Sequence, residues 1–367
     1  MEAISNIEDY LKEHENKDML RFLTCGSVDD GKSTLIGHML YDAKLLFADQ
    51  ENALELDSKV GSRGGEIDYS LLLDGLMAER EQGITIDVAY RYFTTEKRSF
   101  IVADCPGHEQ YTRNMAVGAS FADLAIILVD ASNGVASQTR RHARICSLMG
   151  IKNVILAVNK MDLIDYDKSR FEDIQREFKS LSANFNFKSI HIIPVSATEG
   201  DNLTEPSPNT SWYKGACLLE YLEDIDVEQE AIDSSFVMPV QRVCRPNHTF
   251  RGFQGQIEGG SISVGDELLV LPNEETAKVK SIHVSDKKLK NAIAGQPVTI
   301  QLDREIDVSR GCVLISGGKP EVSDMFTSTL LWMDADHLVA GRNYILKCGT
   351  ISIPATVLTI KYKLDIN

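Results

Sequence analysis

The run Gly26-Ser27-Val28-Asp29-Asp30-Gly31-Lys32-Ser33 sets two glycines, a lysine and a hydroxyl at the spacing G-x-x-x-x-G-K-[ST]. Glycines let backbone N–H groups close on phosphate oxygens, and a helix beginning behind them adds positive potential. Lys32 is then expected to reach the β- and γ-phosphates of a nucleotide, and the Ser33 hydroxyl to ligate Mg²⁺. Thr34, next in line, completes the phosphate-binding run. A second motif, Asn159-Lys160-Met161-Asp162, chooses the base. A carboxylate at Asp162 accepts from both N1–H and the 2-amino group of guanine; adenine lacks both donors and would leave it buried and unpaired. Ser196-Ala197 is expected to offer backbone N–H to the guanine O6. The nucleotide these residues imply is GTP.

Asp104-Cys105-Pro106-Gly107-His108 closes a further apolar run. Asp104 is the expected outer carboxylate of the Mg²⁺ site, the Gly107 amide can sense the γ-phosphate, and His108 is placed to orient an attacking water. Upstream, Gly83-Ile84-Thr85-Ile86 supplies Thr85, whose hydroxyl can reach Mg²⁺ while the γ-phosphate is present. Loss of that phosphate would release the segment, a switch of the order–disorder type.

The elements that must position these groups follow from hydropathy. Leu20–Cys25, Phe100–Ala103, Leu124–Val129 and Val154–Val158 read as strands buried on both faces, with 190–195 a further one. Helical stretches separate them, the first at 34–40, so residues 20–222 are expected to form an α/β domain on a mainly parallel sheet. Ligands of such sheets bind at the C-terminal ends of the strands, where every motif above falls. Ile4, Ile7 and Leu11 predict a helical arm over 1–19. Residues 223–235 read as an acidic linker. Beyond it, short strands at 236–240, 253–257, 267–271 and 297–300 with glycine turns predict a small β-barrel over 236–322. Residues 323–367 read as the opening of a second, incomplete barrel.

Composition narrows the class. The 367 residues carry 54 Asp+Glu against 38 Lys+Arg, a net charge of −16, which disfavours a surface built for nucleic-acid phosphates. No apolar run approaches the roughly 18 residues of a membrane span, and the acidic first residues do not read as a secretory signal. Seven cysteines without a C-x-x-C pair argue against a disulfide framework or structural zinc and for a reducing, cytoplasmic setting.

With these motifs in order the chain resembles translation-factor-type GTPases, in Val-Asp-x-Gly-Lys-Ser, Gly-Ile-Thr-Ile and Asp-x-Pro-Gly-His. That resemblance implies that Val28 and Ile84 form an apolar gate through which a catalytic histidine, here His108, must move. The segments 74–90 and 104–115, together with Gln138–His142, Phe250–Gly255 and Glu305–Gly311, are similar to the large, GTP-hydrolysing subunit of bacterial sulfate adenylyltransferase. The resemblance runs over essentially the whole chain from about Leu20. It implies a heterodimer or higher heteromer in which GTP hydrolysis is coupled to ATP + sulfate → adenosine 5′-phosphosulfate + pyrophosphate on a smaller partner that binds ATP and sulfate. No credible adenylyl-transfer site is found in this chain. Two other readings share the scaffold: a tRNA-delivering elongation factor, against which the acidic balance stands, and a free-standing regulatory GTPase whose barrels only dock partners.

Overall fold

The computed structural model describes residues 18–45, 67–72, 87–227, 235–248, 250–285, 287–318 and 321–364. The expected helical arm therefore lies outside the described residues, except that Met19 already belongs to the first strand. The chain folds into two compact units, with the boundary after Val227.

The first unit is built on six strands: β1 (Met19–Cys25), β2 (Ala89–Thr94), β3 (Ser99–Asp104), β4 (Leu124–Asp130), β5 (Asn153–Asn159) and β6 (Ser189–Pro194). They form one sheet in the order β2-β3-β1-β4-β5-β6. Every residue of β4 and β5 is buried, as strands covered on both faces require. Helices α1 (Lys32–Asp42), α2 (Thr112–Phe121), α3 (Ser137–Leu148), α4 (Lys168–Ser182) and α5 (Leu218–Asp224) alternate with them. The sheet is mixed rather than purely parallel, because β2 runs antiparallel to β3 at the edge. Its sequence, AYRYFT, alternates instead of running apolar, with Tyr90 and Tyr92 left exposed. Phe22, Phe93 and Phe100 fill the core nearby; Phe93 stacks on Phe100 at 4.8 Å, and Phe22 meets it edge-on at 6.3 Å. Leu35, Ile36 and Met39 of α1 are fully buried against this cluster, a contribution of about 1.5–3 kcal/mol each. That packing fixes where the start of α1 points.

The second unit is antiparallel. Its main strands are β7 (Phe236–Pro239), β8 (Arg242–Asn247), β9 (Phe250–Gln256), β11 (Glu267–Leu271), β12 (Glu275–Val284), β15 (Pro297–Leu302) and β16 (Val313–Ser316). They pair along the path β7-β16-β11-β12-β15-β9-β8. β13 (Lys287–Leu289) hairpins onto β12, and β10 (Ser261–Ser263) pairs with β14 (Asn291–Ile293). Phe236, Met238, Phe253, Leu268, Val270, Ile282, Ile300 and Leu314 form its own core, as expected of a small β-barrel. Further along, β17 (Asn343–Cys348) and β18 (Ile351–Thr356) form an antiparallel hairpin. Among the described residues no helix is long and apolar enough to cross a membrane.

Candidate functional site

Strand order reverses at β1, which lies between β3 and β4, and the loop 26–31 leaves the C-terminal end of β1 at that switch point. The loop turns through left-handed backbone at Asp29 (φ 66°) and Gly31 (φ 84°), the residue that caps α1. A side chain at Gly31 would also put its Cβ 2.6 Å from Asn159 Nδ2, so only glycine fits. By helix geometry the amides of Lys32, Ser33 and Thr34 have no intrahelical partner and present a cluster of donors at the positive end of α1.

The side chains around this loop are held tightly. Lys32 folds back so that Nζ donates to the carbonyls of Ser27 (2.7 Å) and Gly26 (3.3 Å). Asp30 accepts from the Ser27 amide at 2.5 Å, yet burial pushes its carboxyl above the usual carboxylate value. Ser33 Oγ donates to Asp104 Oδ2 at 2.7 Å, while Thr24 Oγ1 donates to the other oxygen, Oδ1, at the same distance. Asp104, at the end of β3 and almost fully buried, is thereby aimed at the start of α1. Gly107 packs directly on the loop: a Cβ there would lie 2.6 Å from Lys32 Nζ and 2.7 Å from the Gly26 carbonyl oxygen.

Asn159, at the end of β5, joins the two halves of the site. Its Nδ2 donates to the Asp30 carbonyl at 2.7 Å, and its Oδ1 accepts from the Ala197 amide at 2.8 Å. Lys160 adopts left-handed backbone (φ 61°) and its ammonium pairs with Asp130 at 2.9 Å. Burial opposes ionisation of Asp130, but Lys160 and the Ser132 amide outweigh it and hold the carboxyl below its ordinary value. Asp162 accepts from Ser196 Oγ at 2.6 Å, which fixes the carboxylate through Oδ1. The Ala197 carbonyl in turn accepts from His38 Nδ1 of α1 at 2.7 Å.

All of the sequence-predicted residues at 26–34, 104–108, 159–162 and 196–197 meet at one end of the sheet. Val28 lies at the exposed tip of the loop. Its expected gate partner Ile84, and Thr85, lie outside the described residues. Of the two amides expected to face the guanine O6, that of Ala197 donates to Asn159 Oδ1 at 2.8 Å and that of Ser196 to the Asp201 carbonyl at 3.3 Å. Buried amides must be paired, and the loop pairs these internally.

His108 is half-buried and opens a 3-10 turn over Glu109–Tyr111, with Nδ1 accepting from the Gln110 amide at 3.3 Å. Arg141 of α3 anchors that turn through Glu109 at 2.7 Å. Beside it on α3, burial with the positive charges of Lys32 and Arg141 pushes the His142 imidazole down to about 3. Sequence reasoning missed Thr24, Asp130, Arg141 and His38 as site-builders. Only Asp130 carried a signal, since it closes a buried strand as Asp104 does.

Residues 17–238 match the model of the elongation factor Tu GTP binding domain. Sulfate adenylyltransferase subunit 1 of Shewanella woodyi is 53% identical over 365 residues, 99% of this chain and 78% of that protein. The bifunctional enzyme NodQ of Rhizobium meliloti is also 53% identical, over 99% of this chain, but the chain spans only 57% of its length. The GTP-bound Ski7 GTPase-like domain of S. cerevisiae, 19% identical with a TM-score of 0.54 over 98% of this chain and 89% of that one, shares the fold.

Proposed function

The chain belongs to the translation-factor-type GTPases, in the family of sulfate adenylyltransferase subunit 1, and from that membership we propose that it hydrolyses GTP to drive sulfate activation on a smaller partner subunit. The observation that carries the proposal is the 53% identity to subunit 1 across 99% of this chain. The site supplies the chemistry. Lys32 exchanges the carbonyls of Gly26 and Ser27 for β- and γ-phosphate oxygens, while the amides at the start of α1 cradle the same phosphates. Asp162, braced by Ser196, accepts from the guanine N1–H and 2-amino group. Asn159 holds the base-reading loop and the phosphate loop in one register.

The donor set fits Mg²⁺: the Ser33 hydroxyl, oriented by the outer carboxylate of Asp104, offers a hard oxygen donor and leaves the remaining positions to phosphates and water. Thr85 is the second protein oxygen expected to ligate it. When bound, the ion neutralises charge growing on the phosphate oxygens. His108 orients the water that attacks the γ-phosphorus, and the Arg141–Glu109 pair holds the turn from which it acts. A phosphosulfate anhydride forms very unfavourably, so a partner that makes adenosine 5′-phosphosulfate and pyrophosphate needs a second hydrolysis to pull the reaction.

The test is phosphosulfate synthesis with the smaller subunit present or absent, and with or without GTP. Product is expected only with both subunits, and should accumulate faster with GTP. Equal rates with and without GTP would defeat the coupling.

A further inference from the structure

The second unit carries an open surface pocket of about 510 Å³, lined by residues of that unit alone. Two segments whose residue pattern the GTPase chemistry leaves unused, 250–255 and 305–311, meet at its wall. Arg251 joins them, donating from Nη1 to the Ile306 carbonyl at 3.0 Å and from Nη2 to the Val308 carbonyl at 3.1 Å. Its guanidinium also lies over the Phe253 ring, 5.2 Å from the centroid. Because both acceptors are neutral carbonyls, the charge of Arg251 is left without a counter-ion there, and its Nε is buried with no hydrogen-bond partner.

The rest of the lining repeats this imbalance. Arg245, Lys280 and Arg304 bring three more permanent cations, against the carboxylates of Asp303 and Glu305. Asp303 is occupied by the Lys278 amide at 2.9 Å. Arg304 donates to the Thr276 carbonyl, again a neutral group. Arg245 and Glu305, 3.8 Å apart, form the one ion pair among the described lining residues. Four permanent cations against two carboxylates, in a chain of net charge −16, make a local positive potential that the overall composition does not predict. Its volume is several times that of a lone inorganic anion and lies in the range of small-molecule sites. Phe250 adds an aromatic wall to the charged one.

We propose that this pocket is a second anion site, which takes a phosphate-bearing small molecule of nucleotide size. Arginine and lysine recognise the phosphate, and the phenylalanine face receives the organic part. The site is independent of the GTP reading, since every lining residue belongs to the barrel unit.

The experiment titrates the full chain by calorimetry, with the first site saturated by GDP and Mg²⁺. Adenosine 5′-monophosphate is the probe, because Asp162 disfavours adenine at the first site; adenosine and inorganic phosphate are the comparison arms. The expected result is one saturable site for the monophosphate with Kd below about 1 mM, and at least about tenfold weaker binding of each comparison ligand. In the double variant Arg245→Ala, Lys280→Ala the monophosphate should bind at least about tenfold more weakly, with GDP affinity unchanged. Three outcomes overturn the proposal: no saturable binding, inorganic phosphate binding as tightly as the nucleotide, or unchanged affinity in the double variant.

Discussion

Replacing Asn159 by alanine tests whether one buried amide holds the phosphate loop and the base-reading loop together. The side chain is almost fully buried and makes two hydrogen bonds, to the Asp30 carbonyl at 2.7 Å and from the Ala197 amide at 2.8 Å. Alanine leaves both backbone groups without a partner, at about 1–3 kcal/mol each. Partial relaxation brings the expected loss to about 2–4 kcal/mol, or roughly 5–15 °C in Tm for a domain of this size. GDP affinity should fall at least about tenfold, because the two loops no longer share a fixed spacing. Calorimetric melting and fluorescent-nucleotide titration read the two effects separately. Asn159→Asp refines the test: it keeps the acceptor for Ala197 but sets a carboxylate oxygen against the Asp30 carbonyl, so the damage should concentrate on the phosphate side. An alanine variant that melts within about 1 °C of the parent and binds GDP unchanged would refute the bridging role.

Asp162→Asn should lose guanine preference and gain xanthosine triphosphate binding, since the amide can donate where the carboxylate accepted; competition titration reads the switch, and no gain counts against the base assignment. His108→Ala should slow GTP hydrolysis by roughly 10²–10⁴ with GTP affinity little changed, measured by single-turnover phosphate release. Gly107→Ala forces a Cβ to within 2.6 Å of Lys32 Nζ and 2.7 Å of the Gly26 oxygen, and should weaken GTP binding, read by nucleotide titration, by displacing the loop. Asp130→Asn should destabilise the protein at neutral pH, but not in acid. The folded carboxyl is held below its unfolded value of 3.8, so its contribution is complete above about pH 5 and is lost as pH falls through the folded value. Melting curves of parent and variant should therefore converge at low pH, and a gap constant with pH would remove Lys160–Asp130 as its source.

The fold was legible wherever burial is two-sided. β4 and β5 are continuous apolar runs because helices cover both faces, so hydropathy alone finds them. β2 escaped because an edge strand with Tyr90 and Tyr92 in solvent has no such run, and its pairing with β3 makes the sheet mixed. β8 escaped for a related reason: RVCRPN has mostly exposed side chains and no strong alternation. In the barrel, Glu267–Leu271 was readable because its apolar residues are contiguous. The ten residues of β12 spread theirs between Thr276, Lys278, Lys280 and Ser281.

The site was legible at a different level, through residue types that phosphate and guanine chemistry demand at fixed spacing. Lys32, Ser33, Asp104 and Asp162 could be named because each has a job no other residue type does well. What spacing cannot reveal is how those residues are held. Asn159 belongs to a motif, yet its side chain is spent inside the protein, on Asp30 and Ala197. Thr24 carries no motif at all, but without its hydroxyl one oxygen of Asp104 would lose the partner that aims the other at Ser33. Arg141 likewise reads as a charged residue on a helix until Glu109 is found 2.7 Å away, on the turn that carries His108. Motifs thus mark the atoms proposed to meet the ligand, whereas the groups that orient those atoms come from distant strands and helices and are brought in only by the fold. The barrel pocket is assembled in the same way, since Arg251 binds carbonyls 55 and 57 positions away in sequence. Its neighbours on the chain give no hint that a cluster of cations is being gathered around it.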